Sequence, residues 1–410
     1  MNQFQQNLEK YAELAIKIGV NIQKNQELLI MAPIETADFV RKVVKKAYES
    51  GAKNVHVEWS DEEITRTKFL LAPEESFKNY PIWKAKGYIE MAKRGCGVLS
   101  ISASNPDLLK DIDPKKIALA NKASAMALQE FRDYMQNNII SWAIVSIPTT
   151  NWALKIFPNE TTDKAIEKLW NAIFHVTRID TKDPIKAWED HLAQLNTKLT
   201  ILNRKKYKTI YFKAPGTDLA IDLPKGHIWW GADAKNANGD TFIANIPTEE
   251  IYTVPAKYGV NGTVCSTKPL NYHGTLIDNF SLTFKDGKVI DFTAETGYET
   301  LKNMLETDEE AKYLGEVALV PDHSPISNSN ILFYNTLFDE NASCHLALGS
   351  AYPVCLEKGE TLSKEELDKR GCNSSLIHVD FMIGSADMSI DGETEGGIKE
   401  PIFRNGNWAF

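Results

Sequence analysis

The sequence predicts an α/β N-terminal domain with a parallel sheet, followed by an α+β C-terminal domain with a largely antiparallel sheet. Two observations lead to this prediction. In the first half, short apolar runs alternate with amphipathic helical segments, the order that builds parallel sheets. In the second half, alternating apolar and polar residues are separated by turn dipeptides such as Asp286-Gly287, which is typical of hairpins. We place the domains at residues 1–200 and 201–410.

The first half begins with an amphipathic helix predicted over residues 4–19, where apolar residues recur at three- and four-residue spacing. Later helices are predicted from Thr36, Pro114 and Thr162. Four short strands are predicted at residues 28–31, 54–59, 98–102 and 141–147. The first strand is followed by Ala32-Pro33-Ile34-Glu35 rather than by a glycine-rich phosphate loop, which argues against a nucleotide-binding domain.

The second half contains a predicted hairpin and two predicted strands that carry charged residues. A hairpin is predicted from Ser281 to Phe292 around Asp286-Gly287. A strand from Leu314 to Val320 carries Glu316 in an otherwise apolar run, and another strand is predicted from Leu376 to Ile383. These strands place charged side chains inside a predicted core.

Composition narrows the possible functions. The chain has 410 residues, is 43% hydrophobic and carries a net charge of −9, which argues against the broad basic surface of a nucleic-acid-binding protein. No apolar run reaches the length of a membrane span, and the first residues lack the pattern of a signal peptide, so we expect a cytoplasmic protein. The five cysteines form no Cys-x-x-Cys pair, and we expect buried free thiols.

The segment His378-Val379-Asp380 indicates a metal site. Residues two apart on a strand project to the same face, so His378 and Asp380 can bind one ion together. The alternative is a core histidine that is hydrogen-bonded to its neighbouring carboxylate. Further ligand types elsewhere in the same predicted domain favour the metal.

The same predicted domain contains further residues of the types that bind metal ions. Either Glu249 or Glu250 must face inward at the start of one strand, and Glu316 lies at the start of another strand. Together with Glu340, His345, His378 and Asp380 they provide four carboxylates and two imidazoles, which is the composition of a two-metal site. Oxygen and imidazole ligands without thiolate suit two divalent ions per chain, Zn²⁺, Co²⁺ or Mn²⁺, with Mg²⁺ possible.

The C-terminal motifs resemble those of the aminopeptidase T and aminopeptidase S family of thermophilic metallopeptidases. The resemblance covers nearly the whole chain, and four motifs occur in the same order at matching spacing: Asn245 to Thr253, Leu314 to Val317, Phe338 to Gly349 with Tyr352, and His378 to Gly384. It implies a cytoplasmic, dinuclear metallo-aminopeptidase that releases N-terminal amino acids from short peptides with a free N-terminus by attack of a metal-activated water. It also implies a homodimer.

The resemblance also implies roles for individual residues. The metal ligands it indicates are Glu250, Glu316, Glu340, His345, His378 and Asp380. We expect Glu316 to bridge the two ions and Tyr352 to donate a hydrogen bond to the oxyanion of the tetrahedral intermediate. Glu250 or Glu340 is expected to carry the proton to the leaving amine.

Two other functions use the same residue types. Another dinuclear metallohydrolase, an amidase or a phosphoesterase, would share the ligands and differ in its substrate. A binding protein with structural ions would have a closed coordination sphere and no catalytic dependence on metal.

Overall fold

The computed structural model describes residues 2–103, 105–272 and 275–410. These residues form two compact units. The first unit contains the residues up to Ala193 and the separate segment Asp233–Thr248, and the second contains Gln194–Ala232 and Glu249–Phe410. The two units are not consecutive along the chain, since the segment from Asp233 to Thr248 belongs to the first unit. The domain boundary near residue 200 therefore stays a prediction.

The helices and strands follow one another along the chain with short connections. The α-helices are α1 (Gln3–Leu14), α2 (Ala37–Glu49), α3 (Glu62–Leu71), α4 (Ile82–Lys93), α5 (Pro114–Ala127), α6 (Gln129–Gln136), α7 (Thr150–Ile156), α8 (Thr162–Val176), α9 (Pro184–Lys205), α10 (Tyr298–Leu305), α11 (Pro325–Asn328), α12 (Thr336–Asp339) and α13 (Lys364–Lys369). The strands are β1 (Glu27–Pro33), β2 (Asn54–Ser60), β3 (Gly97–Ser102), β4 (Trp142–Ser146), β5 (Thr209–Ala214), β6 (Thr217–Asp222), β7 (Trp230–Gly231), β8 (Ala234–Lys235), β9 (Thr241–Phe242), β10 (Ile251–Thr253), β11 (Val260–Cys265), β12 (Leu270–Tyr272), β13 (Thr275–Lys285), β14 (Lys288–Thr296), β15 (Leu314–Leu319), β16 (His345–Gly349), β17 (His378–Met382), β18 (Ser389–Glu393), β19 (Lys399–Arg404) and β20 (Asn407–Trp408).

The first unit is built on a parallel sheet in the order β2-β1-β3-β4. The central strand β1 is apolar because helices cover both faces of such a sheet, and Leu28 and Ile30 are fully buried. The edge strand β2 is largely half-exposed or exposed. The α/β character predicted for the N-terminal half is therefore confirmed.

Three helical segments differ from the sequence-based expectation. The first helix is α-helical only to Leu14 and continues as a π-helical turn over Ala15–Gly19. The segment predicted from Pro114 is divided at Leu128, whose backbone (φ −98°, ψ 7°) lies outside the helical region. The long helix α9 runs through residue 200, where we place the domain boundary.

The second unit contains two antiparallel sheets. The larger has the order β12-β13-β11-β6-β5-β18-β19-β20, with β14 paired to β13. Its β13–β14 hairpin confirms the turn at Asp286-Gly287, where both residues have positive φ (49° and 81°), as a two-residue hairpin turn of this type requires. The smaller sheet has the order β17-β16-β15-β10-β7. With these sheets the predicted fold class is confirmed for both halves.

Within the described residues, no helix combines the length and the apolar composition needed to cross a membrane.

Candidate metal centre

The five-stranded sheet brings the predicted ligands to one face. Glu316 on β15 is paired with Ala347 on β16, and Ala347 is paired with Asp380 on β17. Residues directly opposite each other share a face, and so do residues two apart on one strand. His345 lies two residues before Ala347 and His378 two before Asp380, so the two histidines lie on the face of the two carboxylates. The small side chain of Ala347 separates the carboxylates in this row.

Glu250 reaches the same face from the neighbouring strand. It directly precedes β10, in which Tyr252 is paired with Ala318 of β15. Ala318 in turn is paired with His345. The alternation left Glu249 and Glu250 equally possible, and the structure places the Glu250 carboxylate 3.0 Å from Nε2 of His345.

Glu316 is shared by two groups of candidate metal ligands. One group contains Glu250, Glu316 and His345, and the other contains Glu316, His378 and Asp380. Within each group the ligand atoms lie within 4.8 Å of one another. Oε1 of Glu316 is 3.5 Å from Nε2 of His345, and Oε2 is 3.5 Å from Nε2 of His378. The two oxygens of one buried carboxylate therefore face different histidines.

Backbone carbonyl groups orient both imidazoles. Nδ1 of His345 lies 3.1 Å from the carbonyl oxygen of Ser343, and Nδ1 of His378 lies 2.7 Å from that of Ser350. A carbonyl oxygen only accepts hydrogen bonds, so each Nδ1 carries the proton and donates it. Nε2 of each neutral ring is then left as the metal-binding atom, the arrangement found around metal-ligating histidines.

Gly315 makes room for one of these carbonyl groups. A Cβ atom at Gly315 would lie 2.3 Å from the carbonyl oxygen of Ser350, which is far too close for non-bonded atoms. The strand pairing is irregular between Leu314 and Glu316, which marks a bulge at this glycine. Gly315 therefore allows Ser350 to approach closely and to hold His378.

Glu340 lies beside the two groups but belongs to neither of them. It is in the short 3₁₀ turn Glu340–Ala342 after α12, and it is 8% exposed. Burial and the nearby charges of Asp380 and Glu250 raise the pKa of Glu340 well above its usual value. A direct metal bond to Glu340 stays a prediction.

Two tyrosines lie next to these ligands. The ring of Tyr352 is 4.8 Å from the ring of His378, measured between centroids, and meets it edge-on. The ring of Tyr252 is 5.7 Å from that of Tyr352. Burial raises the pKa of Tyr352 well above its usual value, so its hydroxyl keeps its proton at neutral pH.

Burial changes the protonation of the ligands when no metal is bound. It raises the pKa of Glu316 to about 7. Burial is the largest single effect and would lower the pKa of His378, but the charges of Asp380 and Glu316 and the contact with Ser350 together outweigh it and raise that pKa to about 9. Burial likewise opposes the charge on His345, yet hydrogen bonds to Glu250 and Glu316 raise its pKa well above the usual value.

Asp380 provides the test of whether this cluster fits a cation. Its Oδ1 atom is buried and accepts no hydrogen bond from the described residues. Nε2 of His378 lies 3.4 Å from this oxygen. A buried carboxylate oxygen without a hydrogen bond costs free energy unless a cation lies against it. Because the donors are oxygen and imidazole nitrogen without thiolate, the residues fit a divalent metal ion.

Metal binding should release protons and become tighter as the pH rises. His378, with a pKa of about 9, and His345 are protonated near neutral pH, and each must lose a proton before Nε2 can bind metal. We expect the affinity for Co²⁺ to increase steadily between pH 6 and 8. Calorimetric titration of the metal-free protein, in buffers of different ionisation enthalpy, measures both the affinity and the protons released. An affinity that is constant over this range would contradict the assignment of the histidines.

Three contributions to this centre were missed by the sequence analysis. Tyr252 follows Glu250 by two residues, so strand alternation could have placed it on the ligand face. The carbonyl group of Ser350 left no signal, because any residue carries a carbonyl. The buried Asn341 directly follows Asp339 and Glu340, and in this polar run nothing in the sequence marks its side chain as buried.

Comparison with known proteins identifies the family. The family described as thermophilic metalloprotease (M29) matches residues 4–408. Aminopeptidase 2 of Geobacillus stearothermophilus is 57% identical over 410 residues, which cover 100% of this chain and 99% of that protein. Aminopeptidase AmpS of Bacillus subtilis (strain 168) is 53% identical over 410 residues, with both chains covered completely.

A solved structure agrees with these relatives. Wild-type AmpT from Thermus thermophilus superposes with a TM-score of 0.92 at 41% sequence identity, covering 99% of this chain and 100% of that one. The resemblance drawn from the four C-terminal motifs is thereby confirmed. This chain belongs to the thermophilic metalloprotease family M29.

Proposed function

We propose that this chain is a metal-dependent aminopeptidase that removes the N-terminal residue from short peptides. One observation of its own structure supports this function most strongly: the two oxygens of Glu316 face different histidines in two adjoining ligand groups. The aminopeptidase names of its relatives agree with it.

Two divalent ions per chain are the cofactors we propose. Glu250, Glu316 and His345 would hold one ion, and Glu316, His378 and Asp380 the other. Zn²⁺, Co²⁺ and Mn²⁺ suit these donors, and Mg²⁺ is compatible with them. Such ions supply a Lewis acid and activate water at neutral pH.

The surrounding residues would bind the peptide substrate and transfer a proton to its leaving amine. Tyr352 keeps its proton because its pKa is raised, and its hydroxyl would donate to the oxyanion that forms at the scissile carbonyl. Glu340, whose pKa is also raised, is suited to take up a proton and deliver it to the leaving amine. The carboxylates also offer acceptors to the free α-amine of a peptide.

The substrate tests this function. Leucyl and arginyl chromogenic amides should be cleaved when their α-amine is free. The N-acetylated amides should be cleaved more than about 100-fold more slowly than the free amides, because the carboxylates then lose the charged α-amine as a hydrogen-bond partner. A chelator should abolish the cleavage, and added Co²⁺ or Zn²⁺ should restore it.

Other outcomes would identify a different enzyme. Equal cleavage of blocked and free amides would indicate an amidase, and turnover of phosphate esters would indicate a phosphoesterase with the same ligands. Cleavage that continues after complete removal of metal would contradict a metal-dependent mechanism altogether.

We also propose a cytoplasmic homodimer. All five cysteines are free thiols, and four of them are buried, which suits a reducing compartment. Six large apolar side chains from residue 59 to residue 83 of the first unit are exposed, among them Leu71 at 79% and Trp83 at 76%. Exposed apolar side chains of this kind are frequent at protein interfaces. Light scattering that gives the mass of a single chain would exclude the dimer.

A further inference from the structure

Asn341 is a fully buried polar residue beside the metal centre. It lies in the 3₁₀ turn Glu340–Ala342, directly after Glu340, and its exposed fraction is 0%. A buried amide without partners would destabilise the fold, so the partners of this side chain show what it holds in place.

The side chain of Asn341 connects two stretches of chain that carry carboxylates. Its Oδ1 accepts a hydrogen bond from the backbone N–H of Glu249 at 2.7 Å. Its Nδ2 donates to the carbonyl oxygen of Leu337 at 3.0 Å and lies 3.4 Å from Oε1 of Glu340. One amide group therefore contacts the residue before Glu250 and the carboxylate of Glu340.

Glu250 needs such support because of its local backbone. Glu249 and Glu250 lie outside any helix or strand, just before β10 begins at Ile251. The other ligands of the centre, apart from Glu340, lie on β15, β16 and β17, where ladder hydrogen bonds fix the backbone. The bond from Asn341 fixes the backbone one residue away from Glu250, whose carboxylate has to stay near His345.

We propose that Asn341 is a positioning residue that aligns Glu250 with the metal centre. This inference rests on the proposed metal-dependent function. It assigns to Asn341 an effect on one of the two ligand groups only. The group of Glu250, Glu316 and His345 depends on the bond to Glu249, whereas Asp380 and His378 are held by β17 and its pairing with β16.

Stepwise Co²⁺ titration of the metal-free protein against a chromophoric chelator tests the proposal without measuring activity. In Asn341→Ala, we expect the affinity of the Glu250 group to fall by ~10- to 100-fold, the typical effect of losing a residue that orients a ligand, and that of the other group to change by less than about threefold. Glu250→Gln and Asp380→Asn identify which of the two measured affinities belongs to which group.

Asn203→Ala is the matched control. The amide of Asn203 also lies in the second unit and bridges backbone groups, accepting from N–H and donating to the carbonyl of Trp229, both at 2.9 Å. Its loss should lower the melting temperature and leave both Co²⁺ affinities unchanged. In Asn341→Asp an oxygen acceptor for Glu249 remains, so the Glu250 group should bind Co²⁺ more tightly than in Asn341→Ala. If the alanine variant does not fold, the aspartate variant is compared with Glu250→Gln.

Three results would overturn the proposal: unchanged affinities in Asn341→Ala, an equal loss at both groups, or the same loss in Asn203→Ala. If Asn341→Ala does not fold, an Asn341→Asp variant that binds Co²⁺ as weakly as Glu250→Gln does would also overturn the proposal. A wild-type chain that binds no Co²⁺ would contradict the proposed function itself, so the two failures are distinguishable.

Discussion

Replacing Glu316 with glutamine is expected to abolish peptide hydrolysis and to weaken the binding of both metal ions. Glutamine keeps the size of glutamate but removes the negative charge and one of the two acceptor oxygens that face His345 and His378. Loss of a residue that only orients a ligand typically costs ~10- to 100-fold in metal affinity, and loss of a ligand shared by both groups should exceed that. Metal content after dialysis and the rate of leucyl amide cleavage measure the two effects.

The matched control is Glu393→Gln. Glu393 also lies on a strand of the second unit, where it accepts a hydrogen bond from the hydroxyl of Tyr211 at 2.7 Å, but it belongs to neither ligand group. This variant should keep wild-type metal content and rate. A Glu316→Gln variant that retains two ions and full activity would show that the carboxylate is not shared.

Replacing Tyr352 with phenylalanine should slow hydrolysis but leave metal binding intact. The ring packs edge-on against His378, and phenylalanine preserves that contact. Only the hydroxyl is lost, and removal of one oxyanion donor typically lowers kcat by ~10²- to 10³-fold. We expect a loss of this size in kcat, with metal content and KM close to wild type. Steady-state kinetics at saturating metal concentration measure kcat and KM, and the metal content of the purified variant is measured separately.

Tyr211→Phe serves as the control. It removes a tyrosine hydroxyl that donates to Glu393, and both residues lie on the larger sheet rather than on the sheet that carries the metal centre. Its kcat should stay at the wild-type value. If Tyr352→Phe instead lost metal while kcat at saturating metal was unchanged, Tyr352 would support the ligands rather than the reacting carbonyl.

Local patterns predicted much of this architecture. The alternation in His378-Val379-Asp380 predicted a shared face, and the two side chains lie 3.4 Å apart. The turn signal Asp286-Gly287 predicted its hairpin, because few residue pairs adopt positive φ at two successive positions. Both features depend only on residues that are close together in the sequence.

Long-range features could not be predicted in the same way. Strand alternation could not choose between Glu249 and Glu250, because the choice depends on His345, almost one hundred residues later. The family resemblance made that choice, and the structure brings Glu250 to His345. The division of a predicted helix at Leu128 and the place of Asp233–Thr248 in the first unit depend on tertiary packing, which overrides local propensity.

Anomalous diffraction from crystals grown with Zn²⁺ tests the shared carboxylate most directly. Two peaks per chain are predicted: one within bonding distance of Glu250 and His345, the other within bonding distance of His378 and Asp380, with Glu316 bound to both. A single peak, or two peaks of which only one contacts Glu316, would contradict the account.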